Sequence, residues 1–176
     1  MNGVEFSLCG TYVKFEFSFL LILAFIALSD YTDALWVLFF SSLHECGHLV
    51  ALILAGGKPS RLTFSCFGFA LTYDSKLSPL REAAVLLSGP AVNLLLWIIL
   101  RDNVNPVLFC LNMLPIYPLD GGRIAAAFVS PRALKIISTV FLFAVFALAV
   151  YLFLAYRVFS LLLIAVYLLI SNKRYL

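Results

Sequence analysis

Charge is what this chain has least of. Asp, Glu, Lys and Arg make up only 12% of its 176 residues, while 64% are hydrophobic. Soluble domains carry roughly a quarter charged residues, so the composition excludes an ordinary soluble domain and indicates a membrane protein. Cysteine is equally sparse. Cys9, Cys46, Cys66 and Cys110 form no C-x-x-C pair, which excludes a zinc knuckle and a disulfide framework. Each is expected as a small apolar filler in a span or strand. No internal repeat, low-complexity tract or long linker interrupts the sequence, and one membrane domain over 1–176, with its core at 34–130, is expected. No A-x-A site follows the first apolar run, which leads into Ser29-Asp30. That run is therefore read as a retained helix rather than a cleaved signal.

What is present is a series of apolar runs close to the ~20 residues that a spanning helix needs. Six spans are expected, at about 15–29, 34–55, 82–100, 104–128 (broken), 133–156 and 158–171. Short-loop basic residues orient such chains. With the N-terminus inside, Lys14, Lys58, Arg61, Lys76, Arg81, Arg123, Arg132, Lys135, Lys173 and Arg174 fall on the cytoplasmic side, and Arg101 and Arg157 on the other. Both termini are thus expected in the cytoplasm. The net charge of +3 is largely this orientation signal and implies no nucleic-acid partner.

Two stretches do not read as helix. VEFSLCGTYVKFEFSF (4–19) alternates apolar and polar positions around Cys9-Gly10, as a hairpin does. RLTFSCFGFALTY (61–73) is rich in Thr, Phe and Tyr, with Gly68 central. Strands near a membrane need paired backbone or a wet cavity. Either both are interfacial loops, or they form a small sheet whose open edge can pair with an extended peptide.

The second span holds HECGH at 44–48, with the only two histidines of the chain. Residues four apart lie on one helix face, so His44 and His48 can offer two nitrogens to one metal. Glu45 flanks that face about 100° round, and Cys46 falls opposite. Gly47 lets a neighbouring backbone approach closely. Zinc with three protein ligands keeps a position for water and lowers its pKa towards ~7. A neighbouring carboxylate can take that water's proton and pass it to a leaving amine. Polar groups within a span are expensive to bury, so three together imply chemistry.

A third ligand is sought in FCLNMLPIYPLDGGRIAAAF (109–128), where Pro115, Pro118 and Gly121-Gly122 should break the helix. Asp120 on that break is the candidate, the alternative being a residue that caps the next helix. Asn112 can donate to a substrate carbonyl or bond a neighbouring backbone. In LLSGPAVNLLL (86–96), Gly89-Pro90 should kink the third span and free a carbonyl for Asn93, a mainly structural role.

Together, HECGH (44–48), SGPAVN (88–93) and NMLPIYPLDGG (112–122) resemble the motifs of the site-2 protease family of intramembrane zinc metalloproteases, in family order over about 36–130. The LPIYPLDGGR wording is similar to that of the sporulation branch, the stage IV sporulation protein FB type, which cleaves a sigma-factor precursor at a membrane. The resemblance implies an all-α polytopic membrane fold with a small membrane-associated β-sheet. It implies Zn2+ as cofactor, His44, His48 and Asp120 as ligands, Glu45 as general base and Asn112 as a substrate-orienting residue. The partners implied are a membrane-tethered protein substrate, the lipid bilayer and a regulatory membrane protein. The family's PDZ and CBS modules have no counterpart in the sequence. Two other readings remain: a metal-ion transporter, which predicts ligands strung along a path through several spans, and a non-catalytic membrane scaffold, which has no use for Glu45.

Overall fold

The computed structural model describes residues 3–8, 10–28, 32–65, 68–74, 77–157 and 159–175. It divides into two compact units, Met1–Phe109 and Cys110–Leu176. Cys9 and Cys66 lie outside the described residues.

The first unit begins with a hairpin, β1 (Gly3–Leu8) and β2 (Thr11–Glu16), turning at Gly10 with φ +83°. Glycine meets that left-handed backbone without a Cβ clash. The helix α1 (Phe17–Leu28) follows, then α2 (Thr32–Leu54), then β3 (Pro59–Ser65) and β4 (Gly68–Tyr73). The four strands form one sheet in the order β1-β2-β3-β4, with β2 and β3 parallel and the outer pairs antiparallel. The described residues of both strand-like stretches are therefore strands rather than interfacial loops, except the turn at Gly10 and residues 17–19, which open α1.

Register explains why. Val4, Phe6, Val13, Phe15, Leu62, Phe64 and Leu71 share one face, because Val4 faces Phe15, Phe6 faces Val13, Val13 faces Leu62, Phe15 faces Phe64 and Leu62 faces Leu71. Phe15 stacks on Phe64 with ring centroids 4.3 Å apart, and Phe19 of α1 leans on both. Cross-strand aromatic pairs of this kind stabilise a sheet by about 0.2–1 kcal/mol each. The opposite face carries the ion pairs Arg61–Glu5 at 3.6 Å and Lys14–Glu16 at 3.4 Å.

The unit continues with α3 (Pro79–Leu100), opened by Ser78 and by Pro79 at its first position, and closed by Arg101 in the left-handed region with φ 55°. Pro90 sits inside α3 without ending it. The next helix, α4 (Val104–Asn112), crosses the division between the units.

In the second unit α5 (Asp120–Phe128), α6 (Pro131–Tyr156) and α7 (Ser160–Tyr175) follow. Ile116, Leu142 and Leu168 form its core, with Leu114, Leu119, Val145 and Leu169 packed against them. Ser130 caps α6 by accepting from the Ala133 N–H at 3.3 Å.

Three helices are long and apolar enough to cross a membrane: α2, α3 and α6. Large apolar side chains stand exposed along them, including Trp36, Leu54, Leu95, Ile99, Ile136 and Leu154. Such a surface suits lipid, and the chain is an integral membrane protein. The other three expected spans are shorter. The first gives its opening residues to β2 and leaves α1 with 12 described residues, about 18 Å at 1.5 Å per residue. The fourth divides at residues 113–119 into two nine-residue helices, as its prolines and glycines predict. The sixth forms the 16-residue α7.

Candidate metal centre

In the first unit, His44 and His48 occupy successive turns of α2 and are each 5% exposed. Their rings meet edge to face, with the two Nε2 atoms 3.1 Å apart. The other ring nitrogens are committed. His44 Nδ1 lies 2.6 Å from Asn93 Oδ1, and His48 Nδ1 lies 2.8 Å from the Val85 carbonyl. Amide and peptide oxygens only accept, so both Nδ1 atoms carry the proton and donate. Each Nε2 is then the ring nitrogen that carries an acceptor lone pair. Two acceptors at 3.1 Å call for a cation between them, and neutral imidazoles with Nδ1–H bonded to oxygen are the usual form of metal-binding histidines. The donor set therefore fits a metal.

Glycine brings α2 and α3 together. A Cβ at Gly47 would lie 2.9 Å from the Ser88 carbonyl oxygen and 2.8 Å from Val92 Cγ2, so the close approach expected at Gly47 is present. A Cβ at Gly89 would fall on the His48 ring and 2.7 Å from His44 Nε2. The space that a methyl would fill lies beside both converging nitrogens. Cys46, on α2 opposite them, and Cys110, on α4, are both exposed.

Asn93 corrects the reading of the SGPAVN stretch. Rather than resatisfying a carbonyl freed by Pro90, its fully buried side chain accepts from His44 and donates to Asn105 Oδ1 at 2.8 Å. The motif is part of the site. Its partner Asn105 had no signal in the sequence beyond being an amide on an apolar helix.

In the second unit, Asp120 is the first residue of α5 and is 8% exposed. Leu119 occupies the capping position and no side chain caps the helix, so Asp120 is not the cap that the alternative required. A carboxylate in the first turn is nonetheless favoured by the helix dipole. The loop before it is folded on itself: the Ile116 N–H donates to the Leu114 carbonyl and the Leu119 N–H to the Ile116 carbonyl, each at 2.8 Å. The Tyr117–Pro118 peptide is cis. Ser138 of α6 braces the loop, donating to the Pro115 carbonyl at 3.0 Å and accepting from the Tyr117 N–H at 3.4 Å. Gly121 and Gly122 are required by this packing, because a Cβ on either would strike the loop backbone at Met113–Leu114 or Ile116–Tyr117.

His44 and His48 in the first unit and Asp120 in the second are all buried, and each is a residue type that could hold a metal ion. Glu45, next to His44 on α2, is half-buried. Asn112, the last residue of α4, is also half-buried.

No protein-family model matches the chain, and no curated protein sequence does. Among solved structures, the fold is similar to that of the site-2 protease from Methanocaldococcus jannaschii, with a TM-score of 0.65 and 20% sequence identity over 98% of this chain and 94% of that one. The likeness is one of fold. It matches the architecture that the three sequence motifs implied.

Proposed function

We propose that this chain is a zinc-dependent intramembrane endopeptidase that hydrolyses a peptide bond of a membrane-tethered or transmembrane protein. The observation that carries the reading is the buried His44–His48 pair, with its two Nε2 atoms 3.1 Å apart, in a chain with the fold of a site-2 protease. In this reading the two histidines, through Nε2, and the Asp120 carboxylate hold the metal. Zinc bound there would acidify a water and polarise the scissile carbonyl. The Glu45 carboxylate takes the proton of the attacking water and delivers it to the departing amine. The Asn112 amide donates to the carbonyl oxygen of the scissile bond as negative charge develops on it.

The substrate must be extended, because a helical peptide bond is already hydrogen-bonded and shielded. The sheet offers a template for that form. Within 61–73, β3 is paired on both sides, so β4, an edge strand, is the segment left to receive a peptide. Water and substrate enter from the cytoplasmic side, where the basic residues gather. His48 lies six residues before Leu54, the end of α2, or roughly 9 Å of helix. A membrane-tethered sporulation sigma-factor precursor, in a bacterial-type membrane and with a regulatory membrane protein gating access, is the specific substrate we infer from the motif wording.

Cleavage of such a co-expressed precursor, wild type beside Glu45→Gln, tests this. Product with the wild type alone is the expected result. Equal product from both removes Glu45 as the base. No product together with no bound zinc in the purified protein rejects the protease reading.

A further inference from the structure

The hydrogen bond to His44 is one end of a longer chain within the first unit. Asn93 Nδ2 donates to Asn105 Oδ1 at 2.8 Å, and Asn105 Nδ2 donates to Asp102 Oδ2, also at 2.8 Å. Asp102 Oδ1 accepts from the backbone N–H groups of Val104 and Asn105, at 2.8 and 2.7 Å. Asn93 and Asn105 are wholly buried, and Asp102 stands in the loop between α3 and α4.

We propose that Asp102 and Asn105 are positioning residues that fix the tautomer of His44 through Asn93. The inference rests on the metal-binding role given to His44 above.

The argument is one of direction. A primary amide can be turned either way, offering oxygen or nitrogen, and a neutral imidazole can carry its proton on either nitrogen. Left alone, the His44–Asn93 pair could therefore run in two senses, and in one of them Nε2 would carry a proton and be lost as a ligand. A carboxylate has no such freedom, because it only accepts. Burial works against the Asp102 charge, but the hydrogen bonds from the Asn105 side chain and from the backbone N–H groups outweigh it and hold its pKa below the ordinary 3.8. Asp102 is thus ionised at neutral pH. Asn105 must turn its NH2 towards Asp102 and its oxygen towards Asn93. Asn93 must then turn its NH2 to Asn105 and its oxygen to His44. His44 must place its proton on Nδ1, which makes Nε2 the nitrogen that can bind a metal. Four residues read in one sense because the last cannot donate.

The test needs no protease assay. With two histidines in the chain, 15N-histidine labelling of detergent-solubilised, metal-free protein at mildly alkaline pH gives assignable ring nitrogens. In the wild type, His44 Nδ1 is expected to carry a proton. Asn105→Leu, which cuts the chain, should let a His44 form protonated on Nε2 appear and weaken zinc binding by roughly 10–100-fold, the usual effect of removing a partner behind a ligand. Asp102→Asn should do the same to a smaller degree, since an amide permits both senses. The double variant Asp102→Asn/Asn105→Asp restores a single acceptor-only group beside Asn93, and it should recover both the tautomer and most of the affinity.

Three results would overturn the proposal. They are His44 protonated on Nε2 in the metal-free wild type, folded Asn105→Leu with wild-type tautomer and zinc affinity, and a double variant no better than Asp102→Asn alone. Should Asn105→Leu fail to fold, Asp102→Asn and the double variant still decide the matter. A protein with the expected tautomer that binds no zinc leaves the wiring standing and rejects the metal centre instead.

Discussion

His44 and Asp120 are both buried acceptors on helices, yet the chain holds them by different means. His44 is aimed by side chains: an amide behind it, a second amide behind that, and a carboxylate at the end. Asp120 is aimed by backbone. Its loop is folded through its own peptide groups, braced by one serine, and pressed against glycines that admit no Cβ. The first arrangement sets a protonation pattern as well as a position, which an imidazole requires. A carboxylate has two equivalent oxygens and no tautomer, so placing its helix terminus is enough. The two regions differ because an imidazole and a carboxylate differ in what must be specified.

Substitutions should separate these modes. Gly89→Ala has the largest expected effect, since the methyl would occupy the space at His48 and 2.7 Å from His44 Nε2. Zinc binding should be lost with the fold retained, as read by metal content against circular dichroism. If Gly89→Ala binds zinc as the wild type does, the space between the two nitrogens is not where the ion sits. Asp120→Ala removes the third ligand of the proposed centre and should lower affinity strongly without touching the His44 tautomer. A change in that tautomer would break the distinction. Asn93→Leu should weaken zinc by about 10–100-fold while thermal stability of the second unit stays unchanged. Gly121→Ala should act in reverse, lowering stability by about 1–3 kcal/mol as its Cβ displaces the Met113–Leu114 backbone. Ser138→Ala is the mildest, losing about 0.5–1.5 kcal/mol for its bond to Pro115, with zinc affinity following only as far as the loop shifts.

Much of the site was legible because it is local. H-E-x-x-H declares itself through the four-residue repeat of a helix, and Pro115, Pro118, Gly121 and Gly122 announce the break that precedes Asp120. The strands were legible from alternation, and the register places those apolar positions on one face. What escaped was of two kinds. The boundary between β2 and α1, at Glu16 and Phe17, falls inside the alternation VKFEFSF, which continues to Phe19 and so gives no stop signal for the strand. The Asn93–Asn105–Asp102 chain joins residues of α3, α4 and the loop between them, and nothing in an amide's neighbours in sequence says which way it will turn. Gly89-Pro90 invited a local explanation for Asn93. The true partner lies 49 residues away.

The contact of Gly47 with the Ser88–Gly89 backbone bears on how the proposed ion would be acquired. Small residues that let two helices touch sustain their association in lipid by van der Waals contact alone. The pair formed by α2 and α3 therefore keeps its histidines converged whether or not a metal is there. In zinc fingers, by contrast, loading is itself the folding reaction. Here chelation should be reversible in place: stripping the ion should leave the helical spectrum and the melting cooperativity of the first unit intact, and re-addition should refill the site at the pace of diffusion rather than of folding.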